Sequence, residues 1–398
     1  MKRLGLLALV VLMIAAAPLV AQTTLTIWTD NLRYEPINQA GQNFADEYGI
    51  EVEVVEVPFG DMRQKMSNAA PAGEGPDILV GAHDWTGELA QNGLIQEISL
   101  RDDLRNNLVD VSLEGFTYNG ELWALPYAVE SIAIIYNRDM VDEVPESWAD
   151  VMDHSRQRVN SGSGQYGFVY PGAGDTYHTF PFVSAFGGYI FAYEEGEGFN
   201  PNDIGLATDG AVRGLEILDT MYEDGLLPEG LDYNTAQSLF LSGDASMFMT
   251  GPWAISSVEE AGIDYGVMPL PPMEGNQPQP FVGAQGFFVS AFTENRVLAN
   301  EFLKQSVATQ DIMLQIYENG NRPPAYLPAL EQLSDEPVVQ AYADAARGGI
   351  PMPNIPEMGS VWSQTNNKLQ LIAQQEQEPM AAMQDAVQGI QQALEGGQ

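Results

Sequence analysis

The sequence predicts an α/β fold organised in more than one domain. The chain has 398 residues, which is long for a single hydrophobic core and favours two domains of about 150 to 200 residues. Strand-like and helix-like segments alternate over residues 24–80, and this alternation is typical of a parallel sheet covered by helices. A looser mixture follows over residues 133–265, and residues 294–394 are mostly helical in pattern.

The first elements follow from hydrophobic periodicity and from helix stop signals. Residues 50–57 alternate apolar and polar side chains with the period of two that marks a strand. Gly49 is a typical residue to end the helix before it. The predicted series is a strand at residues 24–29, a helix at 36–49, a strand at 50–57, a helical stretch through Ala70 and a strand at 77–80.

Later segments continue the α/β pattern. Residues 209–224 carry apolar side chains at helical spacing and stop at Gly225, as expected for an amphipathic helix. Strand-like segments lie at residues 132–137, 245–250 and 264–272. Two further strand-like segments, residues 122–131 and 281–290, are candidates for crossings between the domains.

The N-terminal segment predicts export. Lys2 and Arg3 precede an apolar run over residues 4–20, and Ala21 provides a small residue for cleavage, so residues 1–21 have the pattern of a signal peptide. The alternative is an uncleaved membrane anchor, for which the run is at the short limit. We therefore expect a soluble protein in the periplasm or extracytoplasmic space.

Charge and cysteine content exclude several classes of partner and chemistry. The formal net charge is −39 and the chain has no cysteine. Nucleic acids and anionic lipid surfaces are bound through basic patches, so we expect neither as a partner. Without cysteine there is no disulfide, thiol nucleophile or thiolate metal site, and no cysteine-anchored lipoprotein. We expect no cofactor and no metal.

The sequence lacks the motifs of the common catalytic sites, but one class of enzyme stays open. The three histidines lack the spacing of zinc ligands, and no nucleophile elbow or phosphate-binding loop is present. Paired carboxylates for glycoside cleavage remain possible, because 55 acidic residues supply pairs everywhere. A glycoside-processing enzyme therefore stays open as an alternative.

Polar and aromatic residues follow two of the predicted parallel strands. Arg33 comes after the strand at 24–29, and Asp84 and Trp85 come after the strand at 77–80. Ligands of open α/β sheets bind at this edge, so these three side chains are candidates for one cleft. Asp84 is equally suited to cap the following helix, and His83 is interpreted as a hydrogen-bonded packing residue.

Several other aromatic residues stand beside turns rather than inside apolar runs. Tyr177, Trp253 and Trp362 are the clearest cases. A sugar ring has an apolar face and a rim of hydroxyls, so a sugar site needs aromatic plates together with carboxylates, amides or guanidinium groups. Pattern alone nevertheless favours core packing for Trp253 and Trp362.

A family resemblance shifts this balance towards binding. Segments spread in order over most of the chain resemble the maltose and maltodextrin binding proteins of ABC importers. They are residues 73–85, 125–140, 178–194, 250–254, 264–272, 279–283 and 352–362. The resemblance implies a two-lobed periplasmic-binding-protein fold with a hinge, in which each lobe is a mixed or parallel sheet flanked by helices. It places residues 23–128 and 282–332 in the N-terminal lobe, and 129–281 and 333–398 in the C-terminal lobe.

The resemblance also implies a function and a set of binding residues. It implies a monomeric, non-enzymatic receptor that closes on an α-linked glucose oligosaccharide and delivers it to a membrane permease. Asp84, Glu130 and Asp175 correspond to acidic ligands of sugar hydroxyls, and Arg33 roughly covers a polar pair of the family. The stacking and wall positions are Trp85, Tyr177, Tyr233, Trp253, Met352 and Trp362.

The sequence departs from the family pattern at several of these places. The family often has Trp where Gly81 stands and Arg where Trp85 stands, and its Tyr and Arg after Trp362 are replaced by Ser363 and Asn366. Fewer contacts should remain for distant sugar units, so maltose, trehalose or maltotriose is expected rather than a long maltodextrin. Alternatives are another oligosaccharide or a sugar alcohol, and a receptor that also signals chemotaxis.

Overall fold

The computed structural model describes residues 23–194 and 198–396. The predicted signal peptide, residues 1–21, lies outside the described residues. In the described part of the chain, no helix is both long and apolar enough to cross a membrane.

Strands and helices are mixed along most of the described chain, and the last hundred residues are mainly helical. The strands are β1 Thr24–Thr29, β2 Glu51–Glu56, β3 Ile78–Ala82, β4 Ile95–Gln96, β5 Thr117–Tyr118, β6 Glu121–Leu122, β7 Ala124–Glu130, β8 Ala133–Asn137, β9 Phe191–Glu194, β10 Gly198–Ile204, β11 Met247–Thr250, β12 Tyr265–Met268, β13 Phe281–Ser290 and β14 Ile350–Pro351. The helices are α1 Asn31–Tyr48, α2 Phe59–Ala69, α3 Thr86–Gln91, α4 Asp102–Arg105, α5 Asp110–Gly115, α6 Trp148–Asn160, α7 Thr176–Ala185, α8 Asp209–Glu223, α9 Tyr233–Leu241, α10 Ile255–Glu260, α11 Arg296–Glu301, α12 Gln310–Gly320, α13 Leu327–Gln332, α14 Pro337–Ala346, α15 Met358–Ala373 and α16 Pro379–Gly396.

The first sheet has the strand order β14-β13-β3-β1-β2, with β4 and β7 also paired to β13. Strands β1, β2 and β3 are parallel, which confirms the prediction for the opening of the chain. Strand β13 is antiparallel to both β3 and β7, so the sheet is mixed. The carboxyl ends of β1 and β3 therefore lie at one edge of the sheet.

One sequence-based boundary is wrong in an informative way. Strand β3 does not break at Gly81 but continues through Ala82. A Cβ atom on Gly81 would lie 2.6 Å from Cε3 of Trp85 and 2.8 Å from Cε2 of Phe288. Glycine is therefore needed here because two aromatic rings cover the strand, and the residue does not form a turn.

A second sheet, β11-β8-β12, is antiparallel throughout, and β8 follows β7 after two residues. The buried hydrophobic side chains divide between separate clusters. One cluster draws on residues 25–128 and 284–329, and the others draw on residues 132–281 and 342–390. The result is a two-lobed α/β fold, and β7 and β13 pair side by side where the chain passes from one cluster to the others.

Candidate functional site

The candidate site lies where β7 and β13 run together. Glu130, the last residue of β7, is 8% exposed. One oxygen of its carboxylate accepts a hydrogen bond from Nε2 of Gln285 at 2.8 Å, and the other accepts one from Nε of Arg322. Burial by itself lowers the pKa of Arg322, but the charges of Glu130, Tyr127 and Asp30 and the hydrogen bond to Glu130 together raise that pKa above its ordinary value. The guanidinium is therefore fixed and charged.

A second guanidinium is buried beside β1. Arg33 lies in the first turns of α1 and is 1% exposed. Its Nη1 atom is 3.0 Å from the Asp30 carboxylate, and its guanidinium carbon lies 5.5 Å from the ring centres of Phe59 and Tyr127. Aromatic faces attract cations, so these two rings hold the charge in position.

Asp84 joins two distant parts of the chain. Its carboxylate accepts a hydrogen bond from the indole N–H of Trp362 at 3.1 Å. Burial raises the pKa of Asp84, although the neighbouring His83 and Arg63 side chains and the hydrogen bond from Trp362 oppose the shift. The capping hypothesis for Asp84 is wrong, because α3 begins at Thr86 and its first turn donates no hydrogen bond to a capping side chain.

Aromatic side chains from the half of the fold that contains the second sheet form a wall next to Arg322. The guanidinium carbon of Arg322 lies 5.0 Å from the ring centre of Trp253, and Trp253 lies 6.2 Å from Tyr177 and 6.1 Å from His178, between ring centres. Burial and the nearby Glu130 charge raise the pKa of the Tyr177 phenol well above its ordinary value. Trp253, Trp362 and Tyr177 are all half-buried.

Asp175 caps a helix, a role that the sequence analysis did not predict. Its carboxylate caps α7 by accepting the backbone N–H of His178 at 2.9 Å and lies 2.9 Å from Nδ1 of the same residue. Burial alone would raise the pKa of Asp175, but the bonds and charge of His178 hold it below its ordinary value. At the start of α7 the acid is therefore ionised and oriented.

The remaining predicted site residues are Trp85, Met352 and Tyr233, and their observed contacts are with other parts of the protein. Trp85 lies in the first hydrophobic cluster, with its ring 5.0 Å from Phe59. Met352 is buried, and its backbone oxygen accepts a hydrogen bond from Nε2 of His83 at 2.9 Å. The hydroxyl of Tyr233 contacts the Thr250 hydroxyl at 3.4 Å, and its ring lies 6.2 Å from His178.

The interpretation of His83 as a hydrogen-bonded packing residue is confirmed. Its Nδ1 atom accepts the backbone N–H of Ala284 at 2.9 Å, so Nε2 carries the proton that is donated to Met352. The imidazole therefore ties the end of β3 to β13 and to the segment after β14. A ring held at both nitrogens is not free to act as a base.

Four important residues were missed by the sequence-based selection. They are Asp30, Tyr127, Gln285 and Arg322. Arg322 had a weak signal, since it is one of few cations in a very acidic chain and stands directly before two prolines. Tyr127 and Gln285 had no local signal, because each lies inside an apolar strand and only the pairing of β7 with β13 brings them together.

The packing of Trp85 on Gly81 leads to a prediction about stability. Gly81→Ala should lower the free energy of unfolding by about 1–3 kcal/mol, because the new methyl group overpacks the space filled by Trp85 and Phe288. Chemical denaturation measures the change. Gly60→Ala is the matched control: Gly60 lies in α2 with nothing within 4 Å of the new atom. A Gly81→Ala variant as stable as Gly60→Ala would contradict the packing described.

The charged and aromatic groups of the site come from both sides of the fold. Arg33, Asp84 and Arg322 lie in the chain segments that form the first hydrophobic cluster. Trp253 and Trp362 pack against the second cluster. The cations are paired with acids, and aromatic rings lie beside them, as expected for a site that holds a polar molecule. This arrangement is typical of a protein that binds a small polar solute.

Comparison with known proteins assigns the family. A model of the bacterial extracellular solute-binding protein family matches residues 39–347, and the chain belongs to this family. The galactooligosaccharide-binding protein of Bacillus subtilis (strain 168) is 31% identical over 92% of this chain and 88% of its own length. The maltotriose-binding protein of Pyrococcus abyssi is 32% identical over 81% and 72%, respectively. The maltodextrin-binding protein of Bacillus subtilis is 26% identical over 93% and 90%.

Proposed function

We propose that the protein captures a short α-linked glucoside, such as maltose, trehalose or a short maltodextrin, and presents it to the permease of an ABC importer. The observation that carries this proposal is the hydrogen bond of 3.1 Å between the Trp362 indole and the Asp84 carboxylate. This bond joins an aromatic ring and a carboxylate from residues that are 278 positions apart in the chain. Such a combination suits the apolar face and hydroxyl rim of a sugar.

The proposed mechanism is closure about the crossing strands. The N-terminal lobe would comprise residues 23–128 and 282–332, and the C-terminal lobe residues 129–281 and 333–398. The separate hydrophobic clusters support this division. A sugar that contacts both lobes only when they are closed shifts the population towards the closed form by its binding free energy. The permease would then bind the closed form.

The proposed contacts divide into stacking and hydrogen bonding. Tyr177, Trp253 and Trp362 would stack on sugar rings, with Tyr233 and Met352 completing the wall. Asp84, Asp175 and Arg33 would hold hydroxyls. Glu130 would act mainly through Arg322, which it holds in position and whose charge it balances.

The preference for a short ligand is supported by the residue that stands in place of a family arginine. The side-chain oxygen of Asn366 accepts hydrogen bonds from the backbone N–H and the hydroxyl of Thr176 at 2.9 and 2.6 Å. This oxygen is committed to the protein and is not offered to a distant sugar unit. We therefore expect sugar units beyond the second or third to add little affinity.

A galactooligosaccharide is the second candidate ligand, and a specific observation favours it. The relative with 31% identity over 92% of the chain carries that name, whereas relatives named for maltotriose and maltodextrin match at 32% and 26%. Glucose and galactose differ in the direction of one hydroxyl. The choice therefore rests on a few hydrogen bonds, and a direct comparison of ligands decides it.

A panel of sugars tests the proposal. Maltose, trehalose and maltotriose at about one hundred times Kd should stabilise the folded chain by about 2.7 kcal/mol, because the ligand binds only the folded state. Thermal unfolding with and without each sugar measures the stabilisation. Isothermal titration calorimetry then gives the affinity. Longer dextrins should bind no more tightly than maltotriose.

The same panel contains the outcomes that count against the proposal. Tighter binding with each added glucose unit would refute the preference for short ligands. A response only to galactooligosaccharides or to a sugar alcohol would move the function to that ligand class. Recovery of cleaved or rearranged sugar after incubation with the protein would support the glycoside-processing alternative.

We further propose that the protein works outside the cytoplasmic membrane. The pattern of residues 1–21 and the family support this proposal. One relative, a maltooligosaccharide-binding protein of Streptococcus pneumoniae, is named a lipoprotein, but this chain has no cysteine for such an anchor. We expect a soluble monomer that meets a membrane permease.

A further inference from the structure

Two residues of the crossing region carry buried hydrogen-bond donors that the protein itself does not use. The Tyr127 hydroxyl and Nη1 of Arg322 have no hydrogen-bond partner among residues 23–194 and 198–396. Tyr127 is 1% exposed and Arg322 is 9% exposed. A buried donor without a partner costs folding free energy, so such a group calls for a functional explanation.

The two donors share one neighbourhood. Tyr127 lies in β7, three residues before Glu130, and Glu130 holds Arg322 through its Nε atom. The charges of Arg33, Arg322, Asp30 and Glu130 all act on the Tyr127 phenol. Arg322 also lies over the ring of Trp253 at 5.0 Å, so the donors stand next to a proposed stacking plate.

We propose that Tyr127 and Arg322 are specificity-determining residues that donate hydrogen bonds to oxygen atoms of the sugar unit nearest the crossing strands. This inference rests on the proposed function and deepens it. Each donor lies in a side chain that packing or pairing holds in place. A sugar oxygen in reach of both would complete their hydrogen bonds, and a sugar without an oxygen there would leave them unsatisfied.

The chemistry of the surrounding groups indicates a neutral ligand. Arg33 is paired with Asp30 and Arg322 with Glu130, so the two cations are already balanced by two acids. Burial raises the pKa of Tyr127 to about 12, which keeps the phenol protonated and able to donate at neutral pH. Hydroxyl, ring and glycosidic oxygens of a neutral sugar provide the acceptors, whereas an anionic sugar would add an unbalanced charge.

The Tyr127→Phe variant separates this role from a structural one. Removing the hydroxyl should weaken maltose binding by about two- to tenfold, as expected for one neutral hydrogen bond. The ligand-free variant should melt at the same temperature as the wild-type protein or higher, because an unsatisfied buried group has been removed. Calorimetry with maltose and thermal unfolding without it give the two readouts.

Tyr222→Phe is the matched control. Tyr222 is also a buried tyrosine, but its hydroxyl donates to the Tyr170 hydroxyl at 3.3 Å within the second hydrophobic cluster. This variant should melt at a lower temperature and bind maltose as the wild-type protein does. The expected result is therefore that Tyr127→Phe loses sugar affinity and keeps its stability, whereas Tyr222→Phe loses stability and keeps its sugar affinity.

Arg322→Lys provides a second, independent test. Lysine keeps the charge that faces Glu130 but lacks the second donor of the planar fork. Maltose affinity should fall by about tenfold to a hundredfold, the range for a hydrogen bond from a charged donor. The loss should be smaller for a deoxy sugar that lacks the contacted hydroxyl, which a general loss of packing would not produce.

The outcomes distinguish the inference from the function on which it rests. Unchanged maltose affinity in both Tyr127→Phe and Arg322→Lys overturns the inference and leaves the proposed function standing. A drop in ligand-free melting temperature for Tyr127→Phe, with affinity intact, also overturns it. If the wild-type protein binds none of the sugars in the panel, the proposed function and this inference both fail.

Discussion

Replacing Glu130 by alanine should lower the free energy of unfolding by about 3–5 kcal/mol, the cost of leaving one partner of a buried ion pair alone. The affected partner is Arg322, which is charged and 9% exposed. Gln285 loses its hydrogen-bond acceptor at the same time. Urea denaturation of the ligand-free chain measures the change, and sugar affinity should fall with it because Arg322 is no longer oriented.

The exposed pair of Arg213 and Glu274 is the matched control for this effect. Both side chains are about half exposed, so Glu274→Ala should change the free energy of unfolding by no more than about 1 kcal/mol. Glu130→Ala with a loss as small as that of Glu274→Ala would show that Arg322 finds another partner. The crossing strands would then not depend on this ion pair.

The Trp253→Ala variant should bind maltose about 2–4 kcal/mol less tightly, which is a loss of roughly 30-fold to 1,000-fold. The indole is half-buried beside Tyr177 and under the Arg322 guanidinium. Truncation therefore removes the proposed stacking plate and also the support of the nearest cation. Isothermal titration calorimetry on the folded variant gives the affinity.

Trp123→Ala tests whether any half-buried tryptophan has the same effect. Trp123 packs against the first hydrophobic cluster, and its indole N–H donates to the backbone oxygen of Tyr118 at 3.0 Å. This variant should lose stability but keep its sugar affinity. If Trp253→Ala keeps wild-type affinity, Trp253 is a packing residue only, and the stacking assignment fails.

Local patterns in the sequence predicted the order of the elements well. The alternation at residues 50–57 and the apolar run after Pro76 correspond to β2 and β3, because side-chain periodicity is decided by which face is buried. The boundary at Gly81 failed for a tertiary reason. The ring that covers this glycine belongs to Trp85, and propensity alone treats glycine as a strand breaker.

The structure brings some of the predicted site residues into contact and separates others. Asp84 meets Trp362, and Tyr177 lies beside Trp253, whereas Trp85 packs into a core. The family resemblance selected these positions from motifs, each of which is local in the chain.

The partners that orient them could not be selected in this way. Arg322 and Gln285 reach Glu130 across 192 and 155 residues. Such pairing depends on how two distant strands align, and no local pattern records that alignment.

Small-angle X-ray scattering with and without saturating maltose tests the central claim most directly. If the two lobes close around the sugar, the radius of gyration should fall when maltose is added, and the sugar should be recovered chemically intact. Calorimetry on the same sample establishes that the site is full. A saturated protein whose scattering curve is the same as that of the free protein would contradict capture by closure between the lobes.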